Sequence, residues 1–198
     1  KRALGESLDK EQLGGAAVHV HQSGQIDNEA ETEEEAFEQI KSFLSYLPNT
    51  TGEVAARVEN DDPIDRRPEE LLHIMPQERR HPYDPRKLIQ LVVDNGDFFE
   101  MRRYYGGSLI TGFARLGGYS VGIVGNDPMV LAGAMNGDAA DKYAHFVDLC
   151  DTFNLPMVIF LDMPGFMLGS AAEKQATMRR GVRALIASYE AKIPKIEF

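Results

Sequence analysis

From Phe98 to the end of the 198-residue chain, apolar runs of strand type alternate with apolar stripes of helical spacing, and this order dictates a mixed α/β sheet. Phe98-Phe99-Glu100 leads into a sheet. Leu109 to Arg115 and Tyr119 to Val124 then read as two strands joined at Gly117-Gly118, where a positive φ costs little. Met129 to Ala132 reads as a third strand. Asp138 can cap a helix on which Tyr143, Phe146, Val147 and Cys150 share one face. Met157 to Leu161 is a short apolar run of buried-strand type. The chain breaks at Asp162-Met163-Pro164-Gly165-Phe166 and enters a helix whose expected core face is Met178, Val182, Leu185, Ile186 and Tyr189. Ile193 to Phe198 begins another strand. Strand, helix, strand, helix, strand is a crossover pattern that normally continues until its sheet is filled. The expectation is therefore a piece of a larger unit, with unpaired sheet edges and apolar patches.

The first half is organised differently. Val18 to His21 alternates as a short strand after Gly14-Gly15. Six of the ten residues from Glu29 to Glu38 are glutamate, at the helix end where the dipole favours negative charge. Phe37, Ile40, Leu44 and Leu47 follow at helical spacing. Residues 61–85 carry Asp62-Pro63 and Arg67-Pro68, which disfavour helix before each proline, so they read as an extended linker. A helix follows on Leu88, Ile89, Leu91 and Val92. The division expected is 1–60, the end of one unit, 61–85, a linker, and 86–198, the first half of a second unit.

Charge and composition exclude several functions. With 31 acidic and 21 basic residues the net charge is -10, which repels a phosphate backbone, so no nucleic acid is expected as partner. The longest apolar run is far short of the ~20 residues of a membrane helix, and no membrane association is expected. A single cysteine, Cys150, permits neither an internal disulfide nor a thiolate zinc cage. A reducing compartment follows as the expectation, the cytoplasm or, in a eukaryote, the mitochondrial matrix.

Side-chain catalysts are scarce. No nucleophile elbow, Walker loop, dinucleotide fingerprint or His-Glu-x-x-His is present. His19 and His21 on one strand face could begin a metal site, but no third ligand follows, so no metal is expected. His145 and Cys150 read as ordinary helix residues. The glycine-bearing segments carry more: Gly133-Ala134 after the third strand, and Pro164-Gly165-Phe166 after the fourth, with Gly169 beyond. Backbone N–H groups in such loops can hold an anion or a developing oxyanion without an acidic or basic side chain. They can equally be tight turns.

Several of these stretches occur together in a known family. Glu11-Gln12-Leu13-Gly14-Gly15-Ala16 with His19, Ser23-Gly24 and Tyr46-Leu47-Pro48, Asp94 with Phe98-Phe99-Glu100, Leu109 to Arg115 with Val121 to Val124, Ala139 to Asp151, and Asp162 to Phe166 with Gly169 closely resemble the carboxyltransferase β subunit of biotin-dependent acyl-CoA carboxylases. Propionyl-CoA and acetyl-CoA carboxylases and methylmalonyl-CoA decarboxylases belong to it. The resemblance implies an α/β, crotonase-like superhelical fold, with this chain spanning the end of one such domain and the first half of the next. It implies transfer of a carboxyl group between carboxybiotin and the α-carbon of an acyl-CoA, through an enolate held in backbone oxyanion holes. Biotin would arrive on a carrier domain or subunit, a biotin carboxylase would charge it, and the full-length subunit would form a hexamer. Pro164, Gly165 and Phe166, with Gly133 and Ala134, would line the biotin side, and Gly14 and Gly15 would support the acyl-CoA side. The family's oxyanion-hole peptides lie outside this sequence, so inactivity of the isolated segment is implied. Residues 104–108 and 132–138 depart from the family's commoner pattern and leave the acyl chain open. Two other readings compete. A crotonase-type acyl-CoA hydratase or hydrolase would need a carboxylate near the second glycine loop, and a non-catalytic assembly module would use its open sheet for pairing.

Overall fold

The computed structural model describes residues 9–76, 78 and 81–198. Asp9 opens α1 (Lys10–Gly14) with a capping box, its carboxylate accepting from the Gln12 N–H at 2.7 Å. Gly15 ends α1 and leads into α2 (Ala16–His19). The strand expected over Val18 to His21 is therefore a helix and turn. A strand needs a ladder partner, whereas this piece closes local bonds, Val20 N–H donating to the Ala16 carbonyl at 2.8 Å. Thr32 caps α3 (Glu33–Ser45). Phe43, Tyr46 and Leu47 reach the core, while Phe37, Ile40 and Leu44 stay exposed.

The chain then passes the Gly117-Gly118 turn on its way to α4 (Pro85–Val92), whose N-cap Asp84 accepts from the N–H groups of Arg86 and Lys87. Five strands follow in sheet order: β1 (Phe98–Met101), β2 (Leu109–Leu116), β3 (Tyr119–Asn126), β4 (Met157–Phe160) and β5 (Lys195–Glu197). The first three pair antiparallel, and β3, β4 and β5 pair parallel. Parallel neighbours require crossovers, supplied by α5 (Gly137–Thr152) between β3 and β4 and by α6 (Ser170–Lys174) and α7 (Thr177–Glu190) between β4 and β5. Period-two alternation makes three layers. Leu109, Phe113 and Val124 join Phe146, Val147 and Cys150 of α5, while Ile110, Ala114, Val121 and Ile123 join Ile89 and Val93 at the α4 side.

Asp94 fixes the β2–β3 hairpin. Its carboxylate accepts the N–H groups of Gly117 and Gly118 at 2.8 and 2.7 Å and the amide of Asn60 at 2.6 Å. Val58 N–H donates to the Gly118 carbonyl, and a Cβ on Gly118 would stand 2.0 Å from the Val58 carbonyl oxygen. The run before Pro63 is thus bound to the hairpin turn.

Three further expectations change. Met129 to Ala132 is no strand: Asp127 accepts the Met129 N–H, and a 3₁₀ turn over Leu131–Gly133 follows with φ of +51° at both Leu131 and Ala132. The cap of α5 is Asn136, accepting from Ala139 N–H at 2.9 Å, and Asp138 stands in the first turn instead. On α7 the buried residues are Thr177, Gly181 and Ala184, while Met178, Val182, Leu185, Ile186 and, at 92% exposure, Tyr189 face outward. Small residues win the inner face because α7 must approach both α5 and Phe166: a Cβ on Gly181 would sit 2.6 Å from the Phe166 ring.

Candidate functional site

In a parallel sheet, ligands bind beyond the C-terminal ends of the strands. Here β3 ends at Asn126 and β4 at Phe160, and the segments that follow, 127–136 and 161–169, are clasped together. Met135 N–H donates to the Gly165 carbonyl at 3.0 Å, and Met167 N–H donates to the Met135 carbonyl at 2.9 Å, which makes a parallel bridge between Met135 and Phe166. Gly133, at φ +75°, lies so close to the second loop that a Cβ would stand 2.6 Å from the Asp162 carbonyl oxygen. At Gly165, φ +130°, nothing lies within 4 Å of where a side chain would begin. Only glycine satisfies the first position sterically, and the second leaves open space beside its Cα.

Beside this junction is a cavity of about 180 Å³, lined by Asn126, Met135, Ile159, Met163, Phe166 and Leu185 among others. Of the residues singled out from sequence, Gly133, Ala134, Pro164, Gly165 and Phe166 all fall in the two clasped loops. Gly14 and Gly15 do not join them. Their close neighbours are local, His19 for the first and Glu11 for the second. His19 and His21 do not form a pair either: His21 stacks on Tyr104 at 4.5 Å and meets Glu29 at 2.9 Å. Among the described residues no group of three metal-ligating side chains occurs.

A carboxyl transferase domain model matches residues 1–198. The chain belongs to the carboxyl transferase domain family. It is 40% identical over 196 residues to the alpha subunit of methylmalonyl-CoA decarboxylase from Veillonella parvula, covering 99% of this chain and 38% of that one. It is also 40% identical to a propionyl-CoA carboxylase carboxyltransferase subunit from Haloferax mediterranei, over 98% of this chain and 38% of the relative. The transcarboxylase 12S structure, a hexamer with methylmalonyl-coenzyme A and methylmalonic acid bound, superposes with a TM-score of 0.93 at 40% identity, over 98% of this chain and 37% of that one. The chain thus spans a little over a third of the length of these relatives, and its fold is the α/β crotonase-like fold of carboxyltransferases.

In this carboxyl transferase chain the loops rest on polar groups that sequence spacing did not reveal. Arg86 of α4 makes a bidentate contact to Glu100 of β1, at 2.9 and 2.6 Å, and a third bond to Asp127 at 2.6 Å. Asp127 begins the first glycine-bearing loop, so α4 anchors that loop by charge. Tyr83, just before α4, is pushed up to about 12 by burial and by the facing Asp162 carboxylate. On the other side Arg180 of α7 grips Asp138 and Asp141, both at 2.7 Å, and donates to the Tyr105 hydroxyl at 3.1 Å. Neither aspartate is therefore a free base. Cys150 is packed against the Gly122 backbone, and burial raises its thiol far above the ordinary range. Burial and Arg102 lower His145, which Asp27 opposes.

Lys142 is fully buried on α5, donating to the carbonyls of Arg102 and Leu109 at 2.7 and 2.6 Å. It thereby closes the segment between β1 and β2. Burial lowers its amine to about 7; Glu100 pulls it up, and Arg86 and Arg102 push it down. A neutral amine still has two protons to donate, so both bonds survive. Between about 7 and the ordinary value of 10.5 the unfolded chain keeps a proton that the folded chain has released. Stability therefore rises with pH across that window, by at most about 1.4 kcal/mol per unit for one proton. Lys142→Met is expected to remove this rise, read from urea midpoints between pH 7 and 10. Parallel pH profiles for the two proteins would contradict it.

Proposed function

We propose that the protein carrying this chain is a biotin-dependent acyl-CoA carboxyltransferase, in which the second unit, residues 86–198, presents the biotin side. The observation that carries this reading is the clasp of two glycine loops at the ends of β3 and β4, beside an apolar cavity. When bound, biotin supplies the ureido nitrogen that carries the carboxyl group exchanged with the α-carbon of the acyl-CoA. The residues present suit it. Phe166 and Met135 offer an apolar wall of the cavity, and at Gly165 the open space beside its Cα leaves room for a flat polar ring. Pro164 stiffens the approach to Gly165, and Gly133 and Ala134 support the opposite loop. An apolar wall excludes water, which protects a reactive enolate from stray protonation.

Gly14 and Gly15 belong in this reading to residues 1–60, on the acyl-CoA side, with 61–85 as the linker. The two relatives named above are a decarboxylase and a carboxylase subunit for short acyl-CoAs, while a further match, at 32% identity and TM-score 0.86, is a long-chain acyl-CoA carboxylase. The acyl chain is thus to be ranked by experiment. By analogy with the hexameric relative, the full-length subunit assembles as a hexamer and works with a biotin carboxyl carrier and a biotin carboxylase. No helix among the described residues is long and apolar enough to cross a membrane. Asp138 and Asp141, both held by Arg180, leave a hydratase without its general base in this region.

The test uses the full-length protein. With malonyl-CoA or methylmalonyl-CoA, loss of the thioester's carboxyl group is expected only when free biotin is added, and crotonyl-CoA is expected to stay unhydrated. Hydration without biotin dependence would overturn the reading.

A further inference from the structure

Resting on that function, we propose that Asn126 is the positioning residue of the biotin side. It is the last residue of β3, 3% exposed, and its side chain reaches both loops at once. Its Oδ1 accepts the Asp162 N–H at 3.1 Å, and its Nδ2 donates to the Gly133 carbonyl at 3.3 Å. The amide orientation is fixed by its partners, because a backbone N–H needs an acceptor and a carbonyl needs a donor. Aspartate would supply two acceptors, leucine none, and glutamine a longer arm. Asn126 is itself held: it pairs with Leu109 across the β2–β3 ladder, and Asp127 N–H donates to the Ser108 carbonyl at 2.9 Å. The Arg86 contact to Asp127 adds a third tie one residue on. The backbone bridge between Met135 and Phe166 sets the register of the loops relative to each other. Asn126 sets where the joined pair stands relative to the sheet, and so where Gly165 and Phe166 meet their ligand.

Two variants of the full-length protein test this. Asn126→Asp keeps the volume and the bond from Asp162, and turns an oxygen toward the Gly133 carbonyl; Asn126→Ala removes both bonds. Losing one buried hydrogen bond is expected to raise KM for free biotin about tenfold, with KM for the acyl-CoA unchanged. Amide hydrogen exchange at Met135 and Met167 is expected to quicken in both variants, while Val121 and Ile123 in β3 keep their protection. An equal shift of both KM values, or a fall in thermal stability with biotin KM unmoved, would overturn the positioning role. If the unsubstituted protein shows no biotin-dependent turnover, the proposed reaction falls, and exchange alone decides the clasp: unchanged exchange at Met135 and Met167 overturns it.

Discussion

Arg86→Ala is expected to destabilise the folded protein by about 3–5 kcal/mol, because it leaves two buried carboxylates without their cation. The side chains of Glu100 and Asp127 are only 11% and 6% exposed. Arg103 touches Glu100 from the rim at 3.9 Å and is itself mostly exposed, so it is a weak substitute. Arg86→Lys is expected to recover little, since an ammonium cannot make the bidentate contact to Glu100 and still reach Asp127. Neutralising all three positions together, Arg86→Met with Glu100→Gln and Asp127→Asn, is expected to recover most of the loss, because no charge is then stranded. Urea unfolding of the four proteins checks this. A single Arg86→Ala variant as stable as the parent would show that the network carries no weight.

Gly133→Val is expected to abolish function with less damage to the fold. Its φ of +75° is strained for any branched residue, and the Cβ would press on the Asp162 backbone at 2.6 Å. The second loop must move, and a displacement near 1 Å of a positioned group lowers turnover by about 10²-fold. On the proposed reading the effect falls on the biotin side alone, read as lost biotin-dependent decarboxylation with the acyl-CoA still bound. Gly165→Ala makes the useful contrast. Nothing crowds that site, so its strain comes from φ alone, about 1–3 kcal/mol, and its kinetic effect comes from filling the open space beside its Cα. Normal biotin kinetics in Gly133→Val would contradict the assignment of these loops.

Local chemistry made some of this architecture legible and concealed the rest. The β2–β3 hairpin could be read because Gly117-Gly118 interrupts two alternating runs, and β4 because Met157 to Phe160 is apolar between breakers. The stripe on α7 misled, since apolar periodicity marks a face without saying which neighbour covers it. Close approach to Phe166 selected Gly181 inward, and Ala184 lies buried in the core. Val18 to His21 alternates like a strand, yet among the described residues no strand stands beside it to complete a ladder. At the site, Gly165 and Phe166 stood out because a glycine-bearing break follows the apolar run of β4, whereas Gly133 was singled out as the end of a strand, Met129 to Ala132, that does not form. Their junction did not, because Asn126 and Asp162 are 36 residues apart and Arg86 and Asp127 are 41 apart. The resemblance to carboxyltransferases gave these loops their proposed role. The structure supplied the amide and the ion pairs that hold them.

The most direct measurement follows the carboxyl group itself. The full-length protein is incubated with methylmalonyl-CoA labelled with ¹³C in its free carboxyl group and with free biotin, and the products are separated under alkaline conditions. Label on biotin, matching the loss of carboxyl from the thioester and reduced in Gly133→Val, is the result expected of a carboxyltransferase whose biotin side is built from these two loops. Label released only as carbon dioxide at a rate indifferent to biotin would contradict it.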